Sequence, residues 1–253
     1  MDENIITNLR DYIEYLEINN PAILKHPDFY QYISDLEKYL QMPGFESRIN
    51  FWPCLDEKTT ETPLDKYYFY QDTWAAKKVL NIRPSRIVDV GSTALLVGIF
   101  AQIAPTKSID VRPLPVSLPG LTCEQGTITD LPFGNNSVEL LSSMCVIEHV
   151  GLGRYGDEID TQGSLRAFKE VSRVIKIGGH FLFSVPLGPF PGLLFNAHRI
   201  FSKPQVLAIM KEFDLRDELF LFPEPSGESN VVRLQGFQYC VWCAHMVKII
   251  GKR

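Results

Sequence analysis

The stretch RIVDVGSTALLVGIFAQ, residues 86–102, decides the fold class. It begins with the apolar residues of a short strand, Gly91 permits a tight turn, and an apolar helix follows from about Ala94. A second short strand ends in SIDV and places Asp110 about 20 residues after Asp89. This spacing is typical of a nucleotide-binding strand–helix–strand unit, in which the second acid accepts hydrogen bonds from ribose hydroxyls. We therefore expect a ligand that carries a ribose like that of adenosine.

Size and charge restrict the classes of protein and partner. The chain has 253 residues, of which 45% are hydrophobic, so it can form one main domain plus an extension. The net charge of −5 argues against a general nucleic-acid binder, which usually carries a basic excess. The N-terminal residues lack the pattern of a signal peptide, and no run of about 18 apolar residues occurs. We expect no nucleic-acid partner, no membrane insertion and a cytoplasmic location.

The cysteines favour a core role over a metal site. Five cysteines are scattered along the chain, and Cys240 and Cys243 form the one CxxC. They fall in a strand-like run, FQYCVWCAHMV, where alternation points their side chains to opposite faces. No second CxxC or histidine pair completes a zinc set. Buried thiols in a reducing compartment are the favoured interpretation, and a metal or disulfide is the alternative.

The N-terminal region differs in pattern from the rest. Residues 1–62 show apolar residues at helical spacing, interrupted by prolines, and we interpret them as a helical extension of a main domain over 63–253. A third helix follows Asp65, a plausible N-cap. Tyr70 and Trp74 share one face of it, and they either pack against the sheet or face a ligand. The extension is expected to cap the active-site edge or to form a homodimer contact, because its apolar stripes must be buried.

From Arg86 onward, strand and helix patterns alternate, which predicts a parallel sheet. An amphipathic helix is predicted near 164–176 and is expected to end at Gly178-Gly179. Another helix begins at Ser202, which has capping-box spacing to Gln205. The expected strands lie near 86–90, 106–111, 121–125, 138–146 and 180–185, with a closing hairpin near 217–222 and 236–247.

These motifs together resemble those of a known superfamily. The region from about Tyr67 to His245 resembles class I methyltransferases of the type-11-like group, which use S-adenosylmethionine (SAM). The shared motifs are the DVG turn, the acid after the second strand, the LPF segment and the EH after the fourth strand. The resemblance implies a Rossmann-like sheet of seven strands with the last strand antiparallel and helices on both faces. VIEHVGLGRYGDEID resembles more narrowly a bacterial methyltransferase-like family of unassigned function associated with surface-polysaccharide synthesis.

The resemblance also implies a set of cofactor-binding residues. Asp89 would help to hold the methionine amino group, Gly91 would let the backbone pass close to SAM, and Asp110 would bind the ribose. Thr93 stands where the superfamily has a second glycine, and Thr127 stands where it has an acid. The full predicted set is Tyr70, Asp89, Gly91, Ser92, Thr93, Asp110, Val111, Thr127 and Ile128.

Three residues are candidates for catalysis. His149 follows the fourth strand, where open α/β sheets place their chemistry, and histidine can accept a proton from a hydroxyl near neutral pH. We predict His149 as the general base, Glu148 as the group that orients it, and His198 as a second candidate. Each histidine also has a structural alternative: a hydrogen bond from His149 to the glycine-rich loop that follows it, and a role for His198 in anchoring a helix.

The predicted function is therefore methyl transfer from SAM to a small polar acceptor, such as a hydroxyl of a sugar or polysaccharide precursor. The acceptor class rests on the resemblance and on no particular residue. The alternative from another class is a binding or assembly module that keeps the fold without catalysis. A nicotinamide-dependent oxidoreductase is less well supported, because its GxGxxG turn is replaced by DVGSTALLVG.

Overall fold

The computed structural model describes residues 9–44, 51–222, 232–234 and 237–249. The chain divides into two compact units, Met1–Leu64 and Asp65–Arg253. This division lies close to the boundary that the sequence suggests between residues 62 and 63. Within the described ranges, no helix combines the length and the apolar composition needed to cross a membrane.

The first unit is helical, as its apolar spacing predicts. Helices α1 (Leu9–Asn19) and α2 (Phe29–Leu40) are separated by a 3-10 turn at Ile23–Lys25. Their apolar stripes meet in a small buried cluster that contains Tyr12, Leu16, Phe29 and Leu55. This cluster belongs to the unit itself and gives it a core of its own.

The second unit is built around one twisted sheet with helices packed on both faces. The helices are α3 (Lys66–Ile82), α4 (Ala94–Ile103), α5 (Gly163–Val174) and α6 (Lys203–Ile209). The strands are β1 (Ile87–Val90), β2 (Thr106–Asp110), β3 (Leu121–Gln125), β4 (Val138–Met144), β5 (Ile175–Leu187), β6 (Gly192–Leu194), β7 (His198–Ile200), β8 (Phe213–Leu221), β9 (Val232–Leu234) and β10 (Phe237–Lys248).

The order of the strands confirms the predicted fold class. The main path runs β3-β2-β1-β4-β5-β10-β8, with β9 paired to β10 and with β6 and β7 forming a separate hairpin. Neighbours from β3 to β5 are parallel, whereas β10 is antiparallel to both β5 and β8. The last strand of the sheet is therefore reversed, as expected for a Rossmann-like methyltransferase fold.

The two faces of the sheet are covered by different helices. Adjacent residues of a strand point to opposite faces, so Ile87 packs with α3 and α4, whereas Val88 packs with α5 and α6. The same alternation separates the cysteines of the CxxC. Cys240 is buried on the α5–α6 face and Cys243 on the α3–α4 face, and both are free thiols, which confirms the core interpretation.

Two helices begin at the capping residues that the sequence predicts. Asp65 accepts a hydrogen bond from the backbone of Tyr68 at the start of α3. Ser202 and Gln205 form both halves of the capping box at the start of α6. These two predictions are confirmed.

The predicted end of α5 at Gly178-Gly179 is wrong. Helix α5 ends at Val174, and β5 begins at Ile175, which pairs with Val138 of β4. The glycines lie inside β5, where Gly178 has φ +75° and a Cβ at Gly179 would stand 3.0 Å from the backbone oxygen of Glu139. They are therefore needed for a close, irregular passage along β4 and not for a helix cap.

Candidate active site

A cleft opens where the parallel strands of the sheet end, which is the usual place for ligands in open α/β sheets. The space inside it, together with the part open to solvent, is about 660 Å³. The lining comes from the segments that directly follow β1, β2, β3 and β4, together with the loop after the 3-10 turn Ile147–His149. The lining residues are Val90, Gly91, Asp110, Val111, Arg112, Gly126, Thr127, Ile128, Cys145, Val146, His149, Val150, Tyr155 and Asp157.

The turn after β1 requires a glycine at its centre. Gly91 has φ +71°, and its amide donates to the Ile109 carbonyl at 3.0 Å. A Cβ at this position would stand 3.0 Å from Val146 Cγ1 and 3.7 Å from Asp110 Oδ2. The space in front of Gly91 is thus bounded by the side chain of Val146 and by a carboxylate oxygen.

Asp110 ends β2 and presents its carboxylate to the cleft. Oδ1 accepts a hydrogen bond from the Arg112 amide at 2.7 Å, which fixes the orientation of the carboxylate, while Oδ2 faces the Gly91 turn. Val111 and Arg112 continue the same wall of the cleft. The structure therefore brings the predicted ribose-binding acid to the predicted turn.

Asp89 serves the turn itself. It is fully buried, and its two oxygens accept hydrogen bonds from Ser92, one from the amide at 3.1 Å and one from Oγ at 2.7 Å. Burial raises the pKa of Asp89 to about 7. The Ser92 hydroxyl also accepts from the Met144 amide at 3.1 Å, which ties the turn to β4. Neither Asp89 nor Ser92 lines the cleft, and the bonds between them hold the turn. Their contact with the cofactor stays a prediction.

Thr93 is likewise engaged within the fold. It is the N-cap of α4, where Oγ1 accepts from the Leu96 amide at 3.3 Å, and it donates to Asp72 Oδ2 at 2.8 Å. Burial raises the pKa of Asp72. A second glycine at position 93 could make neither bond, which explains why this chain has threonine there. Thr93 does not line the cleft.

Tyr70 lies away from the cleft as well. Its side chain is 54% exposed, and its ring contacts Phe69 edge-on at 5.4 Å. Trp74, four residues later, packs against the buried cluster of the α3–α4 face. The prediction that both residues form one stripe against the sheet is therefore wrong for Tyr70, and the structure does not bring Tyr70 to the lining of the cleft either.

The segment after β3 forms the opposite wall. The Gly126 amide donates to the Asp110 carbonyl at 3.0 Å, and a Cβ on Gly126 would stand 2.7 Å from Ile109 Cγ2. Thr127 Oγ1 accepts from the Thr129 amide at 3.3 Å and lies 3.0 Å from the Thr129 hydroxyl. Thr127 and buried Ile128 both line the cleft, where the sequence predicts adenine contacts.

His149 lies at the end of the 3-10 turn and faces the cleft. Its Nδ1 is 2.6 Å from the Ala197 carbonyl, which can only accept, so we assign the ring proton to Nδ1. The lone pair is then on Nε2. Burial lowers the pKa of His149 to about 4, so the ring is neutral near neutral pH. A neutral imidazole with a free Nε2 lone pair can accept a proton.

The loop after His149 is held in place by charged side chains. Arg154 also donates to the Ala197 carbonyl, at 3.0 Å. Tyr155 is contacted by two guanidinium groups, those of Arg112 at 4.4 Å and Arg154 at 5.2 Å from the ring centroid. The Asp157 carboxylate accepts from the Gly151 amide at 2.6 Å and from the Tyr155 amide at 3.3 Å. These hydrogen bonds and cation–π contacts therefore fix the loop as one wall of the cleft.

Glu148 does not orient His149 as predicted. Glu148 is only 2% exposed, and its Oε1 lies 3.8 Å from His149 Nε2, which is too long for a hydrogen bond. The orientation of His149 comes instead from the Ala197 carbonyl, which Arg154 also contacts. Burial raises the pKa of Glu148 to about 8, so its carboxyl is mostly protonated at neutral pH.

His198 begins β7 and lies next to the cleft without lining it. Its ring is 6.4 Å from that of His149 and 5.0 Å from that of Tyr239. Burial lowers its pKa. The neighbouring Arg199 has a structural role, because it donates to the Val150 carbonyl, the Ser164 hydroxyl and the Asp160 carbonyl.

Sequence reasoning missed three parts of this site. Cys145 directly follows β4, lines the cleft and has φ +55°, an uncommon backbone conformation for a residue other than glycine. Its place after the fourth strand was a usable signal. Tyr239 contacts His198, and the Ala197 carbonyl contacts His149. Both contacts are tertiary, and no local sequence pattern predicts them.

Comparisons with known proteins agree on the fold. Residues 132–224, a little over a third of the chain, match the family described as "Caenorhabditis protein of unknown function, DUF268". No curated protein sequence matches the chain.

Three solved structures are similar over most of the second unit. The YcgJ protein from Bacillus subtilis is 15% identical, with a TM-score of 0.53 over 72% of this chain and 100% of that one. The [4+2]-cyclase SpnF is 14% identical, with a TM-score of 0.50 over 71% and 82%. Geranyl diphosphate C-methyltransferase from Streptomyces coelicolor, solved with S-adenosyl-L-homocysteine, is 11% identical, with a TM-score of 0.50 over 72% and 80%. The chain therefore has the Rossmann-like fold found in SAM-dependent methyltransferases.

Proposed function

We propose that this protein is a SAM-dependent methyltransferase that transfers a methyl group to a hydroxyl of a small polar acceptor. One observation carries the proposal. The Asp110 carboxylate faces the Gly91 turn in the same cleft that His149 lines with its neutral imidazole. A ribose-binding acid and a candidate base thus share one site.

The residues of the cleft fit the cofactor. Asp110 would accept hydrogen bonds from the ribose hydroxyls, and Gly91 would let the ligand approach the backbone closely. Val111, Thr127 and Ile128 would surround the adenine. SAM, when bound, supplies an electrophilic methyl group on a sulfonium centre. Asp89, Ser92 and Thr93 would support this site indirectly, by holding the turn.

His149 would remove the proton of the acceptor. While the acceptor oxygen receives the methyl group that SAM would supply, its proton would pass to His149 Nε2. The Nδ1–H bond to Ala197 keeps the required tautomer and stabilises the imidazolium that forms. The lowered pKa of His149 keeps the base neutral before the reaction, and the hydroxyl becomes acidic only as its oxygen is methylated.

One finer part of the proposal rests on the sequence resemblance alone. The acceptor is a sugar or polysaccharide precursor by that resemblance. Two further parts rest on the sequence itself: a cytoplasmic location on the scattered cysteines, and residues 1–62 as a cap or a homodimer contact on their apolar stripes. The alternative from another class is a binding or assembly module that keeps the fold without catalysis. SpnF shares the fold and is named as a [4+2]-cyclase, so the fold does not dictate one reaction.

Calorimetric titration of the purified chain with SAM, S-adenosylhomocysteine and NAD⁺ tests the proposal. We expect micromolar binding of the two sulfur compounds and none of NAD⁺. Ligand at about 100 times its Kd should stabilise the protein by about 2.7 kcal/mol in thermal unfolding. Absence of binding by both SAM and S-adenosylhomocysteine would overturn the proposal. Binding without methyl transfer to any hydroxyl compound would favour the non-catalytic alternative.

A further inference from the structure

A side-chain contact joins two separate walls of the cleft. The guanidinium of Arg112, shortly after the end of β2, lies 4.4 Å from the centroid of the Tyr155 ring, in the loop that comes after β4. Both residues line the cleft. In the sheet, β1 lies between β2 and β4, so this contact spans the carboxyl end of β1, where Gly91 also lines the cleft. The contact therefore crosses the space in front of the Gly91 turn.

The backbone on each side of this contact is fixed. The Arg112 amide donates to Asp110 Oδ1 at 2.7 Å. The Tyr155 amide donates to Asp157 Oδ1 at 3.3 Å, and Asp157 Oδ2 accepts from the Gly151 amide at 2.6 Å. Opening the contact therefore requires rotation of a side chain about its χ angles and no movement of the loop.

Arg112 is the half of the contact that is free to rotate. It is exposed, and its guanidinium forms no ion pair with any acid in the described ranges. Tyr155 is held more firmly. The Arg154 guanidinium lies 5.2 Å from the same ring and donates to the Ala197 carbonyl, and the edge of the His149 ring meets Tyr155 at a centroid distance of 5.6 Å.

We propose that Arg112 and Tyr155 form a clasp that closes the cleft over the Gly91 turn and sets the rates at which the cofactor enters and leaves. This inference rests on the proposed function and adds two gating residues to it. Rotation of the Arg112 side chain away from the Tyr155 ring opens the clasp, and its return closes it.

The strength of the contact determines the size of the effect. A cation–π contact favours the closed arrangement about 2- to 30-fold. Since side-chain rotation is fast, a ligand enters and leaves only during the open fraction, and both rate constants fall by the same factor. The dissociation constant is their ratio and does not change. A residue that binds the cofactor directly would instead lower mainly the dissociation rate constant.

Surface plasmon resonance on the full chain with S-adenosylhomocysteine measures both rate constants. Arg112→Gln removes the cation, and Tyr155→Leu removes the ring without changing the charge of the cleft. Each should raise both rate constants by the same factor of about 2 to 30, with the Kd unchanged within about twofold. Tyr155→Phe keeps the aromatic face and should keep the slow rates. Arg216→Gln, at an exposed arginine of β8 outside the cleft lining, is the matched control.

The double variant Arg112→Gln/Tyr155→Leu completes the test. If the two side chains act through one contact, the double variant should be no faster than either single variant. Unchanged rate constants in Arg112→Gln, a rise of the dissociation rate constant alone, or factors that multiply in the double variant would each overturn the inference. Arg112 is exposed, so its variant should keep the fold and decides the outcome alone if Tyr155→Leu is unstable.

The same measurement separates the two proposals. If the wild type binds S-adenosylhomocysteine and the variants keep the wild-type rate constants, only the clasp is refuted. If the wild type binds neither S-adenosylhomocysteine nor SAM, the proposed function fails and the inference of a clasp fails with it.

Discussion

Two groups of polar residues in the second unit, a cofactor side and an acceptor side, use their polar atoms in opposite ways. On the cofactor side, defined as residues 89–93, Asp89 and Ser92 bond to each other, and Thr93 bonds to α4 and to Asp72. On the acceptor side, defined as Tyr67, Glu148 and His198, each side chain has a buried polar atom without a partner in the described structure.

This difference predicts which residues affect the free energy of unfolding and which affect catalysis. A polar group that is fully bonded inside the fold contributes to the free energy of unfolding, whereas an unpartnered one detracts from it. Substitutions on the cofactor side should therefore change stability, and those on the acceptor side should change catalysis with little loss of stability. Each prediction below would break or sharpen this contrast.

The largest effect is expected at His149, between the two sides. His149→Ala removes the candidate base and should lower turnover about 100- to 10,000-fold. The affinity for SAM should stay within about threefold, because the base acts on the acceptor and not on the cofactor. Turnover is measured with radiolabelled SAM and a hydroxyl acceptor found by screening, and affinity by calorimetry.

His26→Ala is the matched control for His149→Ala. His26 pairs with Asp56 in the first unit, so this variant should keep full turnover. Equal turnover of His149→Ala and wild type would remove the base role from His149. A structure in complex with cofactor and acceptor would then show whether His198 takes it.

Asp110 should make a measurable contribution to cofactor affinity. Asp110→Ala removes charge-assisted hydrogen bonds to the ribose and should weaken SAM binding by about 1.5–3 kcal/mol. Asp130→Ala, at an exposed acid outside the cleft, should leave the affinity unchanged. The two variants are compared by calorimetry, and similar affinities would refute the ribose contact.

Glu148 should make the protein less stable as pH rises. Its folded pKa of about 8 lies above the ordinary value of 4.5, so the folded state holds a proton that the unfolded state releases. Stability is then lost as pH rises towards 8, at about 1.4 kcal/mol per pH unit. Asp89, with a pKa of about 7, adds a similar slope at lower pH.

Glu148→Gln tests this linkage. The variant lacks the titrating group, so its stability relative to wild type should improve between pH 6 and pH 8 by on the order of 2 kcal/mol. Urea unfolding at several pH values measures the difference. A constant difference across this range would mean that the Glu148 carboxyl is already ionised in the folded protein, and its raised pKa would be refuted.

The contrast also explains how much the sequence could predict. The strand order, the Gly91 turn and the position of Asp110 follow from local patterns and from the rule that parallel strands end at one edge. The hydrogen-bond partners of Asp89 and Thr93 could not be predicted from local patterns. A motif match assigns such a residue to the ligand and gives no information about its hydrogen bonds within the fold.

The remaining features depend on tertiary contacts, which local sequence patterns do not predict. His149 is oriented by the Ala197 carbonyl, 48 residues further along the chain, and not by the adjacent Glu148. Tyr70 looked like part of a packed stripe, yet only Trp74 is covered by the core. Gly178-Gly179 had the composition of a helix end, but pairing between β4 and β5 placed both glycines inside a strand.

Thr93→Ala should have the smallest effect and decides whether the cofactor side is structural. The substitution removes the N-cap of α4 and the bond to Asp72, and we expect a loss of about 1–2 kcal/mol in the free energy of unfolding. The intrinsic affinity for S-adenosylhomocysteine should stay within about twofold, because Thr93 does not line the cleft.

Thr122→Ala, at an exposed position of β3, is the matched control and should lose less than about 0.5 kcal/mol. Urea unfolding gives the stability and calorimetry the affinity. If Thr93→Ala kept its stability but bound S-adenosylhomocysteine about tenfold more weakly, Thr93 would contact the cofactor as the resemblance implies. The cofactor side would then also hold polar groups for a ligand, and the contrast between the two sides would fail.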